Sequence, residues 1–392
     1  MTIIQLKPKR EENVLRFHPW IFSGAIARIS GPKPEEGDIV KVADAEGNYL
    51  ATGHYQVGSI AVRIISFDDC DIDRSFWHSR LSQAYRLRQA LNLADNPQTT
   101  AYRLVHGEGD NLPGLVIDIY GSTAVVQAHS VGMHHVRQTI AELLVEIVPS
   151  VKNVYYKSEG TMPFKAPVAV EDGYLIGAKD DMIVSENGLK FFANWLDGQK
   201  TGFFVDQREN RSLLERYSAG RDVLNMFCYT GGFSFYAMRG GARSVHSVDA
   251  SALAIELTNK NIGLNFPDDP RHSASVVDAF KYLNDVDGKY DLIILDPPAF
   301  AKHRDALRNA LRGYQRINAA AFRQIRPGGI LFTFSCSQAV SKEQFRLAVF
   351  SAAAESGRSV RILHQLTQPA DHPVNIYHPE GEYLKGLVLY VE

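Results

Sequence analysis

The chain reads as a multidomain α/β protein whose carboxyl-terminal half is a doubly wound, largely parallel sheet. Three observations predict this. From about Val184 onward, short apolar runs alternate with helix-like segments, the pattern of a sheet covered by helices on both faces. The ends of successive runs carry Gly-Gly or aspartate, and the carboxyl ends of parallel strands are where such sheets hold ligands. At 392 residues the chain exceeds one typical core, so two or three domains are expected.

Taken in order, residues 1–72 are rich in short strand signals broken by Gly and Pro. Gly37 to Val42 alternates, Asp44-Ala45-Glu46-Gly47-Asn48 is a turn, Tyr49 to His54 returns, and Ile60 to Ile65 is a further strand. A small β-barrel or sandwich is expected there. Residues 73–184 form a second, α+β region. A helical period over 75–91 is followed by strands at Leu115–Tyr120 and Thr123–Ala128, a helix around Met133–Ile147, and a strand at Val151–Tyr156. Residues 185–392 carry the parallel sheet, with strands at Val223–Phe227, Ser244–Val248, Ala274–Val277, Asp291–Leu295 and Ile330–Phe334.

Apolar residues make up 45% and charged residues 22% of the chain, an ordinary globular balance. No apolar run approaches the roughly 18 residues that span a bilayer. The segment Met1–Glu12 turns basic at Lys7 and has no apolar core of a secretion signal, so a cytoplasmic protein without a membrane partner is expected. Cys70, Cys228 and Cys336 are odd in number and far apart, which excludes a disulfide framework and a cysteine-based zinc site; no metal is expected. The net charge of −2 is neutral on nucleic acid, since binding depends on local basic clusters. Lys7–Arg16, Arg80–Arg88 and Lys302–Arg316 are the candidates, each with a plain alternative as a solvated helix face.

The strand ends carry the chemistry. After the first comes Cys228-Tyr229-Thr230-Gly231-Gly232, a glycine turn into a helix that lets backbone approach a ligand. The second ends at Asp249, at the spacing of an acid that binds ribose hydroxyls. The third ends at Asp278-Ala279-Phe280, an acid plus an aromatic suited to adenine, and the fourth at Asp296-Pro297-Pro298-Ala299-Phe300. Any one aspartate alone reads best as a helix cap. Four successive strand ends are harder to dismiss. Without a GxxxxGK[ST] a phosphate loop is out, and a ribose acid without the dinucleotide glycine fingerprint fits S-adenosylmethionine better than NAD.

In that order, Gly-Gly, Asp, Asp, Asp-Pro-Pro-x-Phe and Ser335-Cys336-Ser337 resemble the motifs of the PUA-domain ribosomal RNA cytosine-5 methyltransferases (RlmI-type). The likeness extends over essentially the whole chain. His18-Pro19-Trp20-Ile21-Phe22 with Gly37-Asp38 resembles the PUA domain, and Arg103 to Leu115 the start of the central domain. Thr201 to Arg208 resembles a hairpin segment before the Rossmann core; Asp371-His372-Pro373 and Pro379-Glu380 through Gly386 resemble the carboxyl-terminal signature. The resemblance implies a Rossmann-like class I methyltransferase domain behind a PUA-like domain and a central α+β domain. It implies S-adenosylmethionine as cofactor, held by Asp206, Gln207, Arg208, Phe227, Tyr229, Gly231, Asp249, Asp278 and Asp296. Arg208 would suit the methionine carboxylate, with a surface salt bridge as its plain alternative. Large-subunit ribosomal RNA is the implied partner, and a homodimer is compatible with the chain.

The chemistry of the residues points the same way. Carbon 5 of a pyrimidine is a poor nucleophile until a thiolate adds at carbon 6. Cys336, ending the strand Ile330–Phe334, fits that nucleophile, and Asp296 can interact near ring nitrogen 3. The plain alternative for Cys336 is a small core residue; Cys228 reads as packing and Cys70 as structural. No residue stands out as the base that removes the carbon-5 proton. The rival functions are methylation of a base nitrogen, since Asp-Pro-Pro-Phe resembles amino-methyltransferase motifs, and a non-catalytic RNA-binding assembly factor. Ala301-Lys302-His303-Arg304 is expected on the substrate side.

Overall fold

The computed structural model describes residues 1–163, 166, 168–286, 288–301 and 304–392, with residue 304 described by its backbone alone. Two compact units result. The first comprises residues 1–188, 193–205 and 370–381, the second residues 189–192, 206–369 and 382–392.

In the first unit, Ile3–Leu6, Trp20–Phe22, Ile26–Ser30, Ile39–Ala43, Tyr49–Tyr55 and Ile60–Ser66 form one six-stranded sheet, not the two facing sheets of a sandwich. It is mixed, because Ile3–Leu6 pairs parallel with Ile39–Ala43 while its other pairings are antiparallel. Alternation buries Ile4, Leu6, Val40, Val42, Val62 and Ile64 on one side. The expected turn at Asp44 closes through its own side chain, which accepts from the Glu46 and Asn48 N–H groups while Gly47 takes a left-handed φ of 94°.

A five-stranded sheet follows, from Gly173–Ile176 through Asn153–Tyr156, Thr123–Ala128 and Leu115–Tyr120 to Ala101–His106. The last strand has no counterpart in the sequence reading, because Ala101–His106 lacks a clean period of two. The expected helix at 133–147 is broken at Val136 into Val131–His135 and Arg137–Ile147. Two arginines of the basic cluster Arg80–Arg88 are taken up by contacts within the unit. Arg88 is fully buried, bonded in a fork to Asp110 at 2.5 and 2.7 Å and to the Asp371 carbonyl at 2.8 Å. Arg80 lies over the Phe76 ring and donates to the Ile65 carbonyl. The Asp371 carboxylate accepts from the Arg103 N–H, and Arg103 pairs with the buried Asp118. Two segments singled out in the sequence by resemblance are thus parts of one buried charge network. His18, His378 and Glu380 also meet, with their ligand-type atoms within 4.8 Å of one another. That spread is wider than the roughly 3.3 Å edge of a tetrahedral zinc shell with ~2.0 Å bonds, and Trp20 packs edge-on over His378 at 4.3 Å.

In the second unit the strands are β1 (Asp222–Met226), β2 (Ser244–Asp249), β3 (His272–Val276), β4 (Leu292–Leu295), β5 (Gly329–Ser335), β6 (Val360–Leu366) and β7 (Lys385–Val391). Their order is β3-β2-β1-β4-β5-β7-β6. All pairings from β3 through β5 are parallel, and β7 runs antiparallel to both of its neighbours. The helices are α1 (Arg208–Tyr217), α2 (Gly232–Arg239), α3 (Ala252–Asn265), α4 (Ala279–Leu283), α5 (Leu307–Gln324) and α6 (Lys342–Ser356). Strand alternation sorts the core into two layers. Leu224, Met226, Ile293, Leu295 and Leu331 pack on α4, α5 and α6, whereas Val223, Leu292, Ile294, Ile330 and Phe332 pack on α1 and α2. The doubly wound reading is correct. Thr201–Arg208 is not a hairpin: it ends in a 3-10 turn, Val205–Gln207, that runs straight into α1.

Candidate active site

Every candidate site residue lies in the second unit, at the carboxyl edge of β1 to β5 or on the turn into α1. The register explains the gathering. Met226 pairs with Val248 and with Leu295, Asp249 with Val276, and Leu295 with Thr333, so the strands finish at one edge.

The turn after β1 is strained. Phe227 and Tyr229 take left-handed φ values of 58° and 48°, and Gly231 one of 85°. Two non-glycine residues in that region cost of order 1–3 kcal/mol each, and such strain persists where the surroundings impose it. The imposing contacts are visible. The Asp249 carboxylate accepts from the Tyr229 N–H at 3.0 Å and from the Ser251 N–H at 2.9 Å. Thr258 donates to the Tyr229 carbonyl, and Asn261 to that of Thr230. A Cβ on Gly231 would lie 2.5 Å from Phe235 at a left-handed φ, so that position excludes larger residues, and one on Gly232 would press on the buried Arg211 at 3.1 Å. Arg211 and Asn261 had no signal in the sequence beyond helix position.

The segment before α1 contributes a polar network. The Gln207 amide donates to Asp296 at 3.1 Å and accepts from Asn210 at 2.6 Å. Tyr383 donates to Asp206 at 2.8 Å. Arg208 is 1% exposed, with its Nε 3.4 Å from Glu209, so a surface salt bridge does not describe it. Asp278 is exposed and caps α4 by accepting from the Lys281 N–H, the plain role open to any strand-end aspartate.

The nucleophile candidate is held by its neighbours. Ser335 and Ser337, on either side of Cys336, both bond the buried Tyr314 hydroxyl, at 2.9 and 3.1 Å. The Ala301 N–H donates to Ser337 at 3.3 Å, tying the Asp-Pro-Pro-Ala-Phe-Ala segment to the cysteine loop. Phe300 packs on the Tyr314 ring at 4.7 Å. Cys336 is half-buried, whereas Cys228 is buried beside Thr258 and its thiol is pushed up to about 12 by desolvation and by the Asp249 charge. Cys70 is exposed. Tyr314 escaped sequence reading because its role depends on which strand end α5 crosses. The stretch Ala301–Arg304 falls largely outside the described residues: Lys302, His303 and the Arg304 side chain are not among them.

A sheet of this order with one reversed strand, a strained glycine turn after β1 and an acid ending β2 is the architecture of a class I methyltransferase that uses S-adenosylmethionine. The strained turn and the anchored Asp249 are a cradle such a cofactor fits. The profile of the S-adenosylmethionine-dependent methyltransferase family matches residues 172–385, and that of the PUA-like domain residues 4–67. A protein of Streptococcus mutans described as a SAM-dependent methyltransferase superposes with a TM-score of 0.84 at 23% identity, each chain covered in full. The chain is 42% identical to the ribosomal RNA large subunit methyltransferase I of Tolumonas auensis and 40% identical to that of Shewanella denitrificans, with 99% of each chain covered in both cases. It belongs to the ribosomal RNA large subunit methyltransferase I family. No helix among the described residues is long and apolar enough to cross a membrane.

Proposed function

We propose that this protein methylates carbon 5 of a cytosine in large-subunit ribosomal RNA, with Cys336 as nucleophile and Asp296 as its acidic partner. The observation that carries this reading is the linkage of two loops. Ser337 is bonded by the backbone of Ala301, and Ser335 and Ser337 share Tyr314, so the loops bearing Cys336 and Asp296 are built as one piece.

The bound cofactor supplies an electrophilic methyl group. Asp249 would take its ribose hydroxyls, Asp278 with Phe280 its adenine, and Arg208 its carboxylate; Asp206, Gln207, Phe227, Tyr229 and Gly231 would shape the cradle. The Cys336 thiolate adds its sulfur electron pair to carbon 6 of the base, and the ring electrons move toward carbon 5. Asp296, in its protonated form and oriented by Gln207, donates to ring nitrogen 3 and favours that addition. Once carbon 5 carries the methyl group, water takes its proton, the freed electron pair re-forms the carbon 5–carbon 6 double bond, and the bond from carbon 6 to Cys336 breaks with its pair returning to the thiolate.

An RNA partner is supported by α5. Arg308, Arg312 and Arg316 are exposed and recur every four residues, so they share one helix face directly after the Asp-Pro-Pro segment. The test is mass-spectrometric mapping of ribosomal RNA from a strain lacking this protein. One 5-methylcytosine of the large subunit is expected to vanish and to return on re-expression. An unchanged map, or loss of a nitrogen-linked methyl group instead, overturns the reading.

A further inference from the structure

The one reversed strand of the sheet brings something the parallel strands cannot. Because β7 runs opposite to β5, its first residue lies at the carboxyl edge, and Lys385 pairs in register with Ser335. Lys385 is 5% exposed. Its ammonium donates to the carbonyl of Ser337 at 2.5 Å and to that of Tyr383 at 2.8 Å. It therefore grips the backbone immediately after Cys336, on a loop whose serines are already held by Tyr314. Burying an ammonium against two neutral carbonyls is costly. Desolvation pulls this group down to about 8, and the Cys336 charge opposes the fall. The other charged groups acting on it are Lys342 and Glu382, which pair with each other at 2.7 Å, and the buried Tyr314 hydroxyl is raised in part by the same thiol.

We propose that Lys385 is a positioning residue for Cys336: its ammonium pins the carbonyl that follows the thiol and stabilises the thiolate as the attacking form. A positive charge beside a thiol is the ordinary device for making it nucleophilic near neutral pH. The inference rests on the cysteine reading of the site, but its test does not require that reading. Alkylation of Cys336 by iodoacetamide is followed against pH in the full-length protein carrying Cys70→Ser, with the modified peptide identified by mass. In Lys385→Met the titration should move up by at least about one pH unit, so that the rate at pH 7 falls about tenfold or more. Lys385→Arg should restore most of it, and methyl transfer should fall in kcat with little change in the cofactor KM. Lys385→Gln serves if the methionine variant does not fold. An alkylation profile in Lys385→Met or Lys385→Gln that superposes on the wild type overturns the proposal. Full methyl transfer by Cys336→Ala would instead overturn the covalent reading, whatever alkylation shows.

Discussion

The two edges of the parallel sheet carry the same residue type in opposite settings. At the amino edge, Asp222 is held by Arg243 at 2.5 and 2.9 Å, by Arg326 at 2.7 Å and by Ser244 at 2.7 Å, and Arg326 also reaches Asp291 at 3.7 Å. At the carboxyl edge, Asp249 accepts from backbone N–H groups, Asp278 from the first turn of its helix, and Asp296 from an amide. Guanidinium groups tie down the charge at the first edge and hold the strands in register. Backbone N–H groups at the second orient the carboxylates of Asp249 and Asp278. Ion pairs close the amino edge, and the candidate site residues lie at the carboxyl edge.

The strongest attempt to break that division is at the carboxyl edge. Cys336→Ala should lower methyl transfer to ribosomal RNA by on the order of 10³-fold or more with an unchanged melting temperature. Cys228→Ala, one loop away, should keep activity within about threefold. A fully active Cys336→Ala protein would remove the covalent mechanism. Next, Asp249→Asn should weaken cofactor binding by roughly 10- to 100-fold in calorimetry, the worth of a charged hydrogen bond. It should also loosen the Tyr229 turn that the carboxylate holds. A smaller effect is expected from replacing Arg308 and Arg312 with alanine. RNA affinity should fall, and the salt dependence of binding should flatten by about 0.7–0.9 for each phosphate that is no longer neutralised. Cofactor affinity should not move.

The smallest effect belongs to the amino edge. The Arg243 guanidinium, and after it Arg326 and Ser244, holds the Asp222 carboxyl well below the usual carboxylate range. A carboxyl lowered in the folded state stabilises the fold fully above its unfolded value near 4 and loses that contribution as pH falls below it. Asp222→Asn should therefore leave catalysis intact, and urea titrations should show its deficit relative to wild type shrinking between pH 5 and 2. A constant deficit over that range would mean that Asp222 acts by packing rather than by charge.

Much of this is legible along the chain. The strands Leu115–Tyr120 and Thr123–Ala128 match their sequence reading residue for residue, and the parallel strands coincide with the apolar runs. Because parallel strands all end at one edge, Gly231, Asp249, Asp278, Asp296 and Cys336 group together on strand-end position alone. What stays hidden is non-local. The reversed β7 and the burial of Arg88 depend on partners far away in sequence, and the strand Ala101–His106 emerges only from its pairing with Leu115–Tyr120. Arg103 to Leu115 and Asp371 to Pro373 stand far apart in one dimension and are joined by a buried charge network in three.

The sequence by itself determined the class of fold and the strand ends at which the candidate residues lie, the Cys336 thiol among them, because strand periodicity and strand-end residues are local properties. Only the tertiary structure decided what surrounds that thiol. Tyr314 reaches its loop from α5 and Lys385 from a strand that runs the other way. Pairing direction and register are set by packing between distant segments, and no local pattern records them.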